Sequence, residues 1–142
     1  AARQNATCTL LTWRSPEENP FMVTAERAAA QMLPDLPSRK KDEPGQFGLA
    51  DPDRTRHILA RSGWSDIEIR ALDQECAMPE SELARFIARL GPVGVALAKA
   101  DEQTRAQVIE VVRHAFDSFG HGPEIRFKAA CWKISARNSN SQ

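Results

Sequence analysis

Apolar and polar residues recur with two different periods along this chain, and the change of period marks its elements. Residues 51–72 are predicted to form a capped helix, a tight turn and a strand. Asp51 suits the N-cap, Pro52 fits the first helical position, and Gly63 favours a left-handed end to the helix. Beyond Gly63, apolar and charged residues alternate, as in a strand with one wetter face. One helix that feeds one strand is typical of α/β proteins.

Two further stretches predict strands, and one predicts a helix. Residues 7–13 are β-branched and apolar, so we expect a short strand with both faces largely buried. Asn19 is expected to cap a helix that begins at Pro20 and is stopped by Pro34. Residues 124–136 predict the longest strand, and their apolar centre favours a central position in a sheet.

Residues 75–120 predict a helical insert before the last strand. An apolar stripe of period i, i+3, i+4, i+7 runs from Leu83 to Leu90, a short helix is expected over 93–99, and Asp101 caps a longer helix. We therefore expect one α/β domain with a three-stranded mixed sheet, ending in a polar tail at 138–142. Its first two strands should be parallel, with the last strand antiparallel between them.

The amino-acid composition argues against several classes of function, among them nucleic-acid binding and zinc binding. The 19 basic residues balance the 19 acidic ones, which gives no electrostatic argument for nucleic acid or an anionic membrane as partner. No apolar run approaches the ~20 residues of a membrane-spanning helix. The 3 cysteines lack Cys-x-x-Cys spacing, which indicates reduced thiols in a cytoplasmic protein rather than a disulfide framework or a zinc site.

The sequence contains no readable set of catalytic residues. No Gly-x-Gly turn follows a strand to hold a nucleotide phosphate, and the histidines lack metal-ligand spacing, so we assign no catalytic, cofactor-binding or metal-binding residue. Trp13 and Arg14 close the first strand at its carboxyl end, the edge where open α/β sheets bind ligands. Core packing and ligand contact both stay open for Trp13, Phe21 and Met22.

Four runs of sequence appear together and in order, and as a set they resemble the C-terminal part of class I S-adenosylmethionine-dependent methyltransferases. The likeness covers nearly the whole chain. The four runs are TWRSPEENPFM (12–22), PGQFGLADP (44–52), ILARSGWSDI (58–67) and AACWKISAR (129–137).

The resemblance implies the C-terminal half of a Rossmann-like methyltransferase sheet. Residues 7–13, 66–72 and 124–136 would be its fifth, sixth and seventh strands, with the seventh antiparallel between the other two. The family's glycine-rich turn and acidic residue for S-adenosylmethionine have no match in this chain. We therefore expect the chain to begin about halfway through such a domain, and to be inactive and without bound cofactor when alone.

The resemblance also implies an acceptor pocket for a small molecule. The lid loop and helix at 14–50 and the insert at 75–120 would form its walls. The side chains that we expect to bind the acceptor are Trp13, Arg14, Asn19, Phe21, Met22 and Phe47.

An alternative hypothesis is a non-catalytic α/β interaction module that associates with itself. In the family, the outer side of strand 7–13 pairs with a fourth strand, which this chain lacks. We expect a homodimer through this edge, because bare strand edges pair with other strands. Proline at Leu10 should then weaken the dimer more than the fold.

Overall fold

The protein is a mixed α/β structure, in which the computed structural model describes residues 3, 5–37, 43–89 and 91–138. These residues form an open antiparallel sheet of four strands, together with five α-helices. The strands are β1 (Thr7–Trp13), β2 (Trp64–Pro79), β3 (Gly120–His121) and β4 (Glu124–Asn138). The helices are α1 (Pro20–Ala29), α2 (Pro52–Arg61), α3 (Leu83–Arg89), α4 (Gly91–Leu97) and α5 (Glu102–Ala115).

The sheet confirms the central position of the last strand. Its order is β1-β4-β2, and β1 runs antiparallel to β4 from the pair Thr7 and Arg137 to the pair Trp13 and Cys131. Neighbouring strands are antiparallel, so β1 and β2 run in the same direction on either side of β4, as predicted. Because no two neighbouring strands are parallel, the sheet is antiparallel rather than mixed. The expectation of three strands was also wrong, because β3 pairs with the start of β4 across a two-residue turn. Gly122 lies in that turn with φ 61°, a conformation that glycine adopts readily.

β2 is much longer than the predicted strand at 66–72, and its second half takes the first residues that were assigned to the helical insert. Residues 70–75 are all exposed. Their sequence, RALDQE, also lacks the alternation of apolar and polar side chains from which a half-buried strand is predicted. Backbone pairing with β4, rather than side-chain burial, extends the strand here.

The chain divides into two compact units. The sheet unit contains residues 1–19, 40–74 and 129–142. The helical unit contains residues 20–39 and 75–128. Residues 38–42 of the predicted lid loop, Leu90 of the predicted apolar stripe and positions 139–142 of the predicted tail lie outside the described residues. The tail was predicted to start at 138, but Asn138 is the last residue of β4 and is buried.

The helical unit is built around a cluster of phenylalanine rings. Phe21 of α1 stacks on Phe127 with ring centroids 3.7 Å apart. Its ring also contacts Phe86, Phe116 and Phe119 at centroid distances of 5.1–5.4 Å. Helix α1 ends at Ala29, before the predicted stop at Pro34, although turn hydrogen bonds continue to residue 33.

The helix predicted from Asp101 is α5. The Asp101 carboxylate accepts hydrogen bonds from the backbone N–H and the hydroxyl of Thr104, at 2.8 and 2.7 Å. The backbone hydrogen bond from Thr104, followed by the hydroxyl bond, holds the pKa of Asp101 below its ordinary value. The short helix expected over 93–99 is α4, which begins slightly earlier.

In the sheet unit, α2 has the predicted ends. Asp51 Oδ1 accepts hydrogen bonds from the backbone N–H groups of Asp53 and Arg54, at 2.9 and 3.1 Å. Pro52 occupies the first turn, and Gly63 follows the helix with φ 85°. The prediction of a capped helix and a glycine turn is confirmed.

Replacing Asp51 with alanine should lower the free energy of unfolding by about 1 kcal/mol, because two N–H groups of α2 lose their acceptor. Chemical denaturation of the chain measures this change. Asp51→Ser is the matched control, since serine is also a favourable N-cap. An unchanged denaturation midpoint for Asp51→Ala would contradict the role of this cap.

Candidate functional site

The end of β1 is fixed to the central strand by the side chain of Asn19. The Arg14 N–H donates to the Ala130 carbonyl at 2.9 Å, as in one more step of the ladder. Ala130 N–H does not complete that pair with Arg14; it donates instead to Asn19 Oδ1 at 2.9 Å. The side-chain amide of Asn19 thus continues the pairing where the backbone of β1 turns away.

Asn19 also donates through Nδ2 to several carbonyls. Its acceptors are the backbone oxygens of Ala130 at 2.9 Å, Ser15 at 3.1 Å and Arg14 at 3.4 Å. The residue is 1% exposed, so these bonds replace those that water would make. The prediction that Asn19 caps α1 was wrong in mechanism: its acceptor oxygen binds the sheet backbone, although Pro20 does start the helix.

The side chain of Arg14 spans the central strand to form an ionic cluster. Its Nε lies 3.0 Å from Glu18 Oε1, and its Nη1 lies 3.0 Å from Asp73 Oδ1 of β2. The guanidinium carbon is 5.5 Å from the centroid of the Trp132 ring on β4, within cation–π range. We call these four residues, Arg14, Glu18, Asp73 and Trp132, the Arg14–Trp132 cluster.

Trp132 is held on its other side by the segment that leads into α2. Its Nε1–H donates to the Ala50 carbonyl at 2.8 Å. The two preceding carbonyls, of Gly48 and Leu49, accept from the Arg54 guanidinium and the Thr55 hydroxyl. Three successive carbonyls are therefore held by side chains, and the indole is positioned between this segment and Arg14.

The solvent-exposed charged groups of the Arg14–Trp132 cluster are its two carboxylates, Glu18 and Asp73. The Arg14 side chain is only 11% exposed, and its charge faces two carboxylates that are each about half exposed. Its Nε–H is at ion-pair distance from Glu18 but is not directed at that oxygen as a hydrogen bond, and the buried Thr12 hydroxyl also has no partner among the described residues. The cluster can accept hydrogen bonds from a ligand through Glu18 and Asp73, and it offers no unbalanced cation to an anion.

The structure brings together some of the residues that were predicted to bind the methyl acceptor, and it separates others. Arg14 and Asn19 are joined by a hydrogen bond. Trp13 pairs with Cys131, one residue out of step with Arg14, so its side chain leaves the opposite face of the sheet. Phe47 is half-buried, and its carbonyl accepts from the N–H of Ala50, the residue that binds Trp132.

Phe21 and Met22 belong to the helical unit. Phe21 is 2% exposed within the phenylalanine cluster, and Met22 is partly buried against the same core. Of the two interpretations that the sequence left open for these residues, packing is the one that describes their surroundings.

Sequence reasoning missed Asp73 and Trp132. Asp73 follows the predicted strand at 66–72 and lies in a polar run, which gave no signal. Trp132 did carry a signal: it is a large side chain with a polar N–H among the small residues at the apolar centre of the predicted last strand. Such a residue needs a hydrogen-bond acceptor, here Ala50.

Three general features of the described residues bear on function. They contain no group of three or more His, Cys, Asp or Glu side chains that could hold a metal ion. None of their helices combines the length and apolar character needed to cross a membrane. Cys8, Cys76 and Cys131 form no disulfide.

In comparisons with known proteins, no protein-family model and no curated protein matches the chain.

Proposed function

We propose that this chain forms the C-terminal, acceptor-pocket half of an S-adenosylmethionine-dependent methyltransferase that acts on a small molecule. The observation that supports the proposal is the strand order β1-β4-β2, with the last strand of the chain central and antiparallel to β1. The four sequence runs that resemble the methyltransferases imply the same order. A Rossmann-like origin of the sheet is part of this proposal.

The Arg14–Trp132 cluster is our candidate for the part of the site that binds the methyl acceptor. It follows β1 directly, at the carboxyl end of that strand. In the mostly parallel sheets from which we propose that this chain derives, ligands bind at this edge. Glu18 and Asp73 are half exposed and accept hydrogen bonds, so they suit an acceptor that bears a hydroxyl or an amine. Methyl transfer depends largely on orienting the nucleophile, and these carboxylates would orient it without acting as a general base.

The cofactor would bind outside this chain. The sequence lacks the glycine-rich turn and the acidic residue with which the family holds S-adenosylmethionine. We propose a cytoplasmic protein, since its cysteines form no disulfide. The balanced charge of the sequence favours neither nucleic acid nor a membrane surface as partner.

The purified 142-residue chain should show no useful affinity for S-adenosylmethionine. The physical reason is the missing glycine-rich turn and its acidic partner, without which the cofactor has no fixed hydrogen-bonding site in this chain. Titration calorimetry measures the affinity directly, with an intact class I methyltransferase as the positive control. Tight, saturable binding to the isolated chain would contradict this assignment of the cofactor site.

The deciding experiment for the proposed function uses the polypeptide as it occurs in its source cells. Antibodies against the helical unit would isolate it together with any bound chain, and intact mass spectrometry would give the length. Photo-crosslinking with labelled S-adenosylmethionine then tests cofactor binding. We expect label on the native polypeptide or on a chain bound to it. A native assembly that takes up no label would overturn the methyltransferase proposal.

The second candidate function, a self-associating interaction module, is favoured by a different observation. β1 is an outer strand of the sheet and carries no charged residue.

A further inference from the structure

The two outer edges of the sheet differ in charge. In the order β1-β4-β2, the outer strands among the described residues are β1 and β2. β1 has the sequence TCTLLTW, without a charged residue, a proline or a glycine. β2 carries five charged side chains, Asp66, Glu68, Arg70, Asp73 and Glu75. Charged residues on an edge strand discourage pairing with other chains, so β2 is protected in this way and β1 is not.

The hydrogen bonds of β1 show which of its residues face outward. Arg14 N–H donates to Ala130, and Asn138 N–H donates to Ala6. Antiparallel strands form these bonds at every second residue, so the even-numbered residues between Ala6 and Arg14 face β4. The backbone N–H and C=O groups of the odd-numbered residues therefore lie along the outer edge. These residues are Thr7, Thr9, Leu11 and Trp13.

We propose that the outer edge of β1 pairs antiparallel with β1 of a second copy of this chain, about a two-fold axis at Leu10. This register sets Thr9 opposite the partner's Leu11 and Thr7 opposite the partner's Trp13. All of these residues present outward backbone groups, so each pair exchanges two hydrogen bonds. The two sheets then form one continuous sheet across the axis.

A second copy fits this edge for three reasons. Every side chain that the axis brings opposite another is uncharged, so no like-charge repulsion opposes the pairing. The Leu11 side chain, which is 65% exposed, gains a neighbour on the same face. A two-fold arrangement also closes on itself and leaves no further β1 edge for a third copy. This inference rests on the second candidate function, the self-associating module, and does not depend on methyl transfer. It is an alternative to the first candidate, in which a fourth strand would occupy the same edge of β1.

The hydrogen-bond directions correct the proline position suggested by the sequence. Leu10 faces β4, so Leu10→Pro would remove a donor from the sheet of the monomer itself. Leu11→Pro removes an outward donor instead. Since proline also restricts the backbone, paired charge substitutions are the cleaner test.

The test compares the unmodified chain with two double variants by sedimentation velocity over a wide range of concentrations. Thr9→Lys with Leu11→Lys sets like charges opposite each other across the axis, and Thr9→Glu with Leu11→Glu does the same with the opposite sign. We expect the unmodified chain to dimerise and each variant to dissociate at least about tenfold more readily, because like charges directly opposite destabilise strand pairs. An equimolar mixture of the two variants should recover a heterodimer.

Thr9 and Leu11 are exposed in the monomer, so circular dichroism should find both variants folded. Glu68→Lys, on the exposed side of β2, is the control and should leave the dimer unchanged. A monomeric unmodified chain at every concentration would overturn the proposal, and so would a dimer that the lysine variant retains in full. Failure of the mixed variants to form heterodimers would refute the two-fold register.

Discussion

Replacing Asn19 with alanine is expected to lower the free energy of unfolding by about 3 kcal/mol, because a buried network loses both its donor and its acceptor. Ala130 is fully buried, and its N–H has Asn19 Oδ1 as its partner. Alanine leaves that N–H without an acceptor, and it takes a donor from the carbonyls of Arg14 and Ser15. Chemical denaturation with fluorescence detection measures the loss.

Asn19→Asp separates the donor role from the acceptor role. A carboxylate still accepts from Ala130 N–H, but its second oxygen meets the carbonyls to which Nδ2 now donates. We expect Asn19→Asp to be at least as destabilising as alanine at neutral pH, because the second oxygen of the buried carboxylate then faces acceptors only. Gln107→Ala, which removes an exposed amide from α5, is the control and should change stability by less than about 0.5 kcal/mol. A loss of that small size for Asn19→Ala would contradict the role of the network.

The order of the sheet was predictable because it rests on side-chain patterns. The apolar centre of β4 needs cover on both faces, and this favours the central position that the strand occupies. The sequences of β3 and of the second half of β2 contain no such pattern of apolar side chains. Gly120 and His121 form a strand through the turn that follows them, and residues 70–75 extend β2 while exposed. A strand that is held by backbone pairing without side-chain burial is therefore difficult to predict from sequence.

The candidate site was predictable only where it follows directly from a strand end. Arg14 closes β1, so its place at the carboxyl edge could be inferred from sequence. Its partners Asp73 and Trp132 come from the two other strands of the path, and their meeting depends on the register of the sheet. Asn19 gave a misleading signal, because an asparagine before a proline fits a helix cap. The amide satisfies the sheet backbone instead.

Replacing Phe21 with alanine is expected to cost about 3–5 kcal/mol of stability, the range for large-to-small changes in a packed core. Phe21 is the centre of the phenylalanine cluster, since its ring contacts four others within 5.4 Å. Alanine would leave a cavity that rigid rings cannot easily fill, and it would also remove the stacked contact with Phe127. Thermal and chemical denaturation measure the effect.

This substitution also decides between the two roles that the sequence left open for Phe21. A core residue loses stability on truncation and recovers much of it in Phe21→Leu, because leucine refills part of the volume. A side chain that only contacts ligand would change stability little in either variant. Val95→Ala in α4 is the surface control: Val95 is 64% exposed, and its loss should change stability by no more than about 0.5 kcal/mol. If Phe21→Ala matched that control, the phenylalanine cluster would not be what holds the helical unit together.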